Sequence, residues 1–160
     1  RGLVEREVTR VLTPGTVAEG ALLPAGENRY LAAVAACVDR IGLAWVDVST
    51  GEFAALELEG DDAHARLSEE LARLNPAECL VADDASDSLP TAGHVARLER
   101  WHFRPDRSRD ALTEHFRTRS LAAFGGEERP AAVAAAGAAL AYVGRTNPRL
   151  LALLTGLRVE

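Results

Sequence analysis

Residues Tyr30 to Leu58, YLAAVAACVDRIGLAWVDVSTGEFAALEL, constrain the fold more than any other stretch of this chain. Three apolar runs, at about 30–38, 41–48 and 52–58, are parted by Asp39-Arg40 and by Ser49-Thr50-Gly51. Short apolar runs separated by polar, glycine-containing turns are the pattern of strands joined by tight hairpins. Alternation groups Ile41, Leu43 and Trp45 with Phe53 and Ala55 on one face, and Val46 and Val48 with Leu56 and Leu58 on the other. The first run is apolar on both faces, which suits a central strand covered on each side. The expectation is a three-strand antiparallel meander that nucleates the sheet.

Beyond Leu58 the chain reads as helices mixed with two more strands. In DDAHARLSEELARL (61–74), Ala63, Leu67, Leu71 and Leu74 form one apolar stripe. Asp61 or Asp62 is placed to cap that helix, and Arg66–Glu70 and Glu69–Arg73 have i, i+4 pair spacing. Asn75-Pro76 stops it. Cys79 to Ala82 is short and wholly apolar, as in a buried strand parallel to the first, and His94 to Trp101 is a weaker strand anchored by Val95 and Leu98. A helix is expected over Arg107–Arg117, with Ala111, Leu112 and Phe116 inward and Asp106 or Ser108 as cap. Pro130 opens an alanine-rich helix through Tyr142, ending near Gly144, whose small side chains favour close docking. The expected order β-β-β-α-β-α-β-α implies an α/β protein of ribonuclease H-like type. Its mixed five-stranded sheet combines the meander with parallel strands and carries helices on both faces.

Composition narrows the function. No apolar run is long enough to span a membrane, and no signal sequence opens the chain. Cys37 and Cys79 lie in strand-like runs, as core residues of a reducing, cytoplasmic setting. The chain has no Met, so Arg1 is not a natural start and a piece of a longer protein is expected. It also has no Lys, which excludes a phosphate-binding P-loop. Net charge is −6, unfavourable for binding a phosphate backbone. The distribution is uneven: residues 50–96 carry eleven acids against Arg66 and Arg73, whereas 97–119 carry seven arginines against four acids. That arginine-rich segment suits a local partner surface, DNA included, or a solvated face.

Candidate catalytic groups are sparse. A two-metal nuclease needs carboxylates that converge, and Asp47, Asp83 and Asp106 at strand ends are the candidates for it. Acids at strand ends also serve as turn formers, and the first strand, Tyr30–Val38, carries none. The four histidines (64, 94, 102 and 115) lack metal-ligand spacing. Trp45 and Trp101 read as core or rim aromatics. No metal site and no catalytic residue is expected.

Several landmarks occur together and in order: Arg6-Glu7-Val8, Leu12-Thr13-Pro14-Gly15-Thr16, Tyr30-Leu31-Ala32-Ala33, Asp47-Val48-Ser49-Thr50-Gly51-Glu52-Phe53, Leu74-Asn75-Pro76-Ala77-Glu78 and Phe124-Gly125. In this series the chain resembles the connector domain, domain II, of the bacterial MutS family. The resemblance implies a linker over 1–16 from a preceding mismatch-binding domain, the connector over 17–145, and the start of a core domain over 146–160. It also implies a non-catalytic role in DNA mismatch repair, joining the mismatch-binding domain to the core and ATPase domains and relaying nucleotide-dependent movement. ATP and Mg would belong to the full-length protein, with no cofactor in this part. MutL is the implied docking partner, and mismatched DNA would be met through other domains. The part would be monomeric and the whole a dimer or higher oligomer. MutL-facing residues carried over from the family are Arg107, Asp110, Ala111 and Glu114. The alternative is a ribonuclease H-like metal-dependent nuclease.

Overall fold

The computed structural model describes residues 29–160. The expected linker over 1–16, its turn at Thr13–Thr16 and the loop over 17–28 lie outside the described residues. Strands β1 (Tyr30–Ala36), β2 (Arg40–Asp47) and β3 (Phe53–Glu59) form the expected meander. Helix α1 (Ala63–Leu74), strands β4 (Glu78–Ala82) and β5 (His94–Leu98), helices α2 (Pro105–Phe116) and α3 (Pro130–Thr146), and a short strand β6 (Arg158–Val159) complete the order. The sheet order is β5-β4-β1-β2-β3-β6, with β1 central, β4 parallel to β1, β5 parallel to β4 and β6 parallel to β3.

Expectations about strand number, element order and the facing of one strand change. The sheet has six strands rather than five, because Arg158 and Val159 pair with Ala54 and Ala55. Two residues are too few to show periodicity. The order is βββαββαα and then β, with no helix between β4 and β5, where DDASDSLPTAG is rich in turn-forming Asp, Ser, Pro and Gly. The facing of β3 is also reversed. Val46 pairs with Phe53 and Ala44 with Ala55, so Ile41, Leu43 and Trp45 share their face with Ala54, Leu56 and Leu58. Asp47 N–H donates to the Glu52 carbonyl at 2.9 Å, leaving four residues in the loop. A loop of even length puts odd positions of β2 opposite even positions of β3, and a one-residue slip inverts every side chain.

The two faces of the sheet are packed differently. One face presents Val34, Ile41, Leu43, Trp45, Leu58 and Val81 to Leu67, Leu71 and Leu74 of α1. Asn75 ends α1 in the left-handed conformation (φ 49°) ahead of Pro76, as the sequence implies. Its start departs from expectation: neither Asp61 nor Asp62 makes a side-chain cap, and Arg73 pairs with Glu70 at 2.7 Å instead of Glu69. The other face is built from Leu31, Ala33, Ala35, Ala44 and Val46, and lies against Ala132, Ala135, Ala136 and Ala139 of α3.

Small residues on both sides bring α3 close enough that Gly42 faces the Ala131 carbonyl with no space for a Cβ. Glu57 secures this end of the helix. Its Oε1 accepts from the N–H groups of Ala131 (2.7 Å) and Ala132 (3.1 Å), while Oε2 accepts from Arg40 at 2.6 Å. A carboxylate on the first free N–H groups of a helix also meets the positive end of its dipole. Farther along, the Tyr142 hydroxyl donates to the buried Glu78 carboxylate at 2.6 Å. The helix runs on to Thr146, past Gly144. Leu150, Leu154, Leu157 and Val159, from the stretch expected to open a following domain, pack into this same core.

Candidate functional site

Helix α2 carries the residues proposed from the sequence. It starts at Pro105 rather than Arg107, so Ser108 sits inside the first turns instead of capping them. Ser108 is 2% exposed, and its hydroxyl donates to the carbonyls of His102 (3.1 Å) and Ala134 (3.3 Å). It rests against Gly137, where an added Cβ would overlap its side chain. Leu112 is fully buried. His115 Nε2 lies 2.8 Å from the Leu154 carbonyl, and Phe116 contacts Phe53 and Phe124. These contacts fix the rotation of α2 about its axis.

Given that rotation, Arg107, Asp110 and Glu114 are exposed in one stripe. Ala111 is not fully outward. It is partly buried against the core and lines a seam of about 190 Å³ between α2 and α3 with His102, Arg107, Ser108, Gly137 and Ala141. The sequence signals the seam only through Gly137, a residue that weakens a helix unless close packing requires it.

At the head of this seam, burial and the neighbouring Arg145 push the His102 imidazole below its ordinary pKa, while Glu99 at 3.6 Å pulls the other way. A base held below its unfolded pKa supports the fold fully above that value. Its contribution declines as pH falls from about 6.5 toward the depressed folded value. Denaturation midpoints measured from pH 7.5 to 5 should therefore fall more in the parent than in His102→Gln, which lacks this proton site.

The acids considered for metal chemistry lie apart. Asp47 pairs with Tyr30 at the start of β1, while Asp83 follows the end of β4. Because β4 runs parallel to β1, these are opposite ends of the sheet, about 20 Å apart at ~3.3 Å per residue. Asp47 Oδ1 instead accepts from the N–H (2.9 Å) and hydroxyl (2.6 Å) of Ser49, shaping the hairpin loop. Asp106 sits in the first turn of α2, where the Arg107 N–H and Arg104 hold its carboxyl below the usual range. Among the described residues, no group of three or more His, Cys, Asp or Glu is arranged to hold a metal ion.

The arginine-rich segment is largely engaged within the chain. Arg97 donates to the carbonyls of Ala82, Asp83 and Ala85, and Arg100, Arg104 and Arg109 pair with Asp84, Asp106 and Glu127. Trp45 is buried, whereas Trp101 is 44% exposed at the rim. Cys79 is buried, with its thiol pushed up to about 11, and Cys37 is half-buried; both are free. No helix among the described residues is long and apolar enough to cross a membrane.

Comparison with known proteins adds the family. A family model described as MutS domain II matches residues 29–155. The chain is 42% identical to the DNA mismatch repair protein MutS of Symbiobacterium thermophilum, with 99% of the chain and 19% of that protein covered. It is 39% identical to the proteins of the same name from Roseiflexus castenholzii and Dehalococcoides mccartyi, over 98% of the chain and 18% of each relative. The chain thus spans less than a fifth of the length of these relatives.

Proposed function

The chain belongs to the MutS family as its domain II, and on that basis we propose that it is a non-catalytic connector module of a DNA mismatch-repair protein. In this reading it joins a mismatch-binding domain to core and ATPase domains, relays nucleotide-dependent movement, and docks MutL on α2. The observation that carries the docking assignment is the exposed stripe of Arg107, Asp110 and Glu114 on a helix otherwise locked to α3. A stripe with a cation at one end and carboxylates at the other suits a partner surface of complementary pattern. Reversing both carboxylates places like charges across that interface, which costs several kcal/mol.

The test uses the complete mismatch-repair protein that contains this chain. Asp110→Arg with Glu114→Arg is expected to weaken MutL recruitment to a mismatched duplex by about tenfold or more. Mismatch binding by itself should be unchanged. Recruitment equal to the parent's would move the docking surface off α2.

A further inference from the structure

At one end of the sheet, strands β1, β4 and β5 finish together, and their connections diverge. β1 turns into its hairpin with β2, the loop after β4 packs on the α1 face through Leu89, and the turn after β5 packs on the α3 face through Phe103. Space beyond the carboxyl ends of parallel strands, where connections part, is a recurrent place for a binding crevice. Here it is a half-open cavity of about 480 Å³, within the usual size range of ligand pockets. Val34, Ala35, Ala82 and Leu89 supply apolar wall, and Phe103 closes the inner side.

Trp101 stands on one lip, 44% exposed, and Val38, two residues beyond the lining Ala36, is wholly exposed at the same end of the sheet. The lining is mixed, with Asp84, Ser86, Arg100 and Arg104 beside the apolar residues, the blend of apolar wall and a few polar groups common in binding sites. The same lip carries Arg100 and Arg104. Their partners, Asp84 at 3.8 Å and Asp106 at 3.0 Å, are exposed like the arginines themselves. Exposed pairs of this kind contribute about 0–1 kcal/mol, so a partner's carboxylates exchange for them at little cost. Trp and Arg around a cavity that can be closed to water are the composition of interface hot spots.

We propose that this crevice is a docking site for a segment of a partner protein, which inserts one bulky apolar side chain and sets carboxylates against Arg100 and Arg104. Nucleic acid fits less well, because a backbone charged at every residue meets a chain of net charge −6 with Asp83, Asp84 and Asp87 on the β4–β5 loop, whereas a peptide needs carboxylates only opposite Arg100 and Arg104. The crevice adjoins the start of α2, whose N-cap is Arg104, but it is lined by none of Arg107, Asp110 and Glu114 and does not rest on the connector reading.

The chain's two tryptophans make the test direct, since Trp45 is buried and Trp101 is the one on the lip. A short peptide with a single Phe among Asp and Glu residues should shift Trp101 emission to the blue in a saturable titration. Labelled-peptide anisotropy should show affinity falling about tenfold or more in Arg100→Glu/Arg104→Glu and in Ala85→Leu, which fills the cavity. A lysine version of the peptide should regain binding to the charge-reversed variant. Thermal melts check that each variant is folded. Three results would each overturn the proposal: no saturable binding of the acidic peptide up to about 1 mM, equal binding of its lysine version to the parent, or indifference to Ala85→Leu. Saturable oligothymidine binding lost in Trp101→Ala would assign the crevice to nucleic acid instead. Self-association lost in the same variant would assign it to a second copy.

Discussion

Gly42→Ala is expected to lower the stability of this chain by about 3 kcal/mol or more, and Gly42→Val to abolish a cooperative folding transition. Overpacking a core usually costs about 1–3 kcal/mol because side chains shift to make room. No such relief exists here. The added Cβ meets the Ala131 carbonyl and the Ala132 N–H, which are backbone of the first turn of α3. That turn is held by Glu57 through hydrogen bonds of 2.7 and 3.1 Å, so α3 must lift from β2 and lose its cap together. A domain of this kind has about 5–15 kcal/mol of total stability, so the valine variant approaches the whole of it. In thermal denaturation the alanine variant should melt about 10 °C below the parent. A melting temperature within about 2 °C of the parent's would show that α3 is not seated on Gly42.

The second large effect is expected at Gly137, and there the sign is informative. In an exposed helix, Gly→Ala stabilises by about 1 kcal/mol. Here the new methyl overlaps Cβ and Oγ of Ser108, so Gly137→Ala should instead destabilise by about 2 kcal/mol. Ser108→Gly removes two of the three overlapping atoms and leaves its Cα, and it also loses the bonds to the His102 and Ala134 carbonyls. The double variant should therefore be less damaged than the sum of the singles, with a coupling of about 1–2 kcal/mol measured by urea denaturation. Strict additivity would mean that the helices do not touch at this point. Since the same contact sets the rotation of α2, Gly137→Ala should also weaken the docking assigned to Asp110 and Glu114.

Much of this architecture is legible along the chain because the signals are local. The meander shows in Tyr30–Leu58 through runs and turns, and α1 shows in its leucine stripe and its Asn75-Pro76 stop. Errors arise where a feature depends on partners distant in sequence. The facing of β3 turns on the number of residues in the Val48–Gly51 loop, which side-chain periodicity does not count. The strand at Arg158–Val159 exists only because β3 offers it an edge. Glu57 reads as an acid in an alternating strand, yet it caps a helix 74 residues away. Helix α2 is similar: Arg107, Asp110 and Glu114, given by the family resemblance, are exposed, but Ala111 is partly buried against the core, which spacing along the chain does not show.

Neighbouring residues and composition were enough to establish the meander, α1, the family landmarks and the absence of a phosphate-loop lysine. Folding was needed to decide which face each strand turns to the core, how close α3 lies to the sheet, and that Asp47 and Asp83 stand at opposite ends. The physical reason is that register, backbone approach and carboxylate separation are distances between segments remote in the chain. Those distances are set when an alanine surface on α3 closes over Ala33, Gly42 and Ala44 of the Tyr30–Leu58 meander.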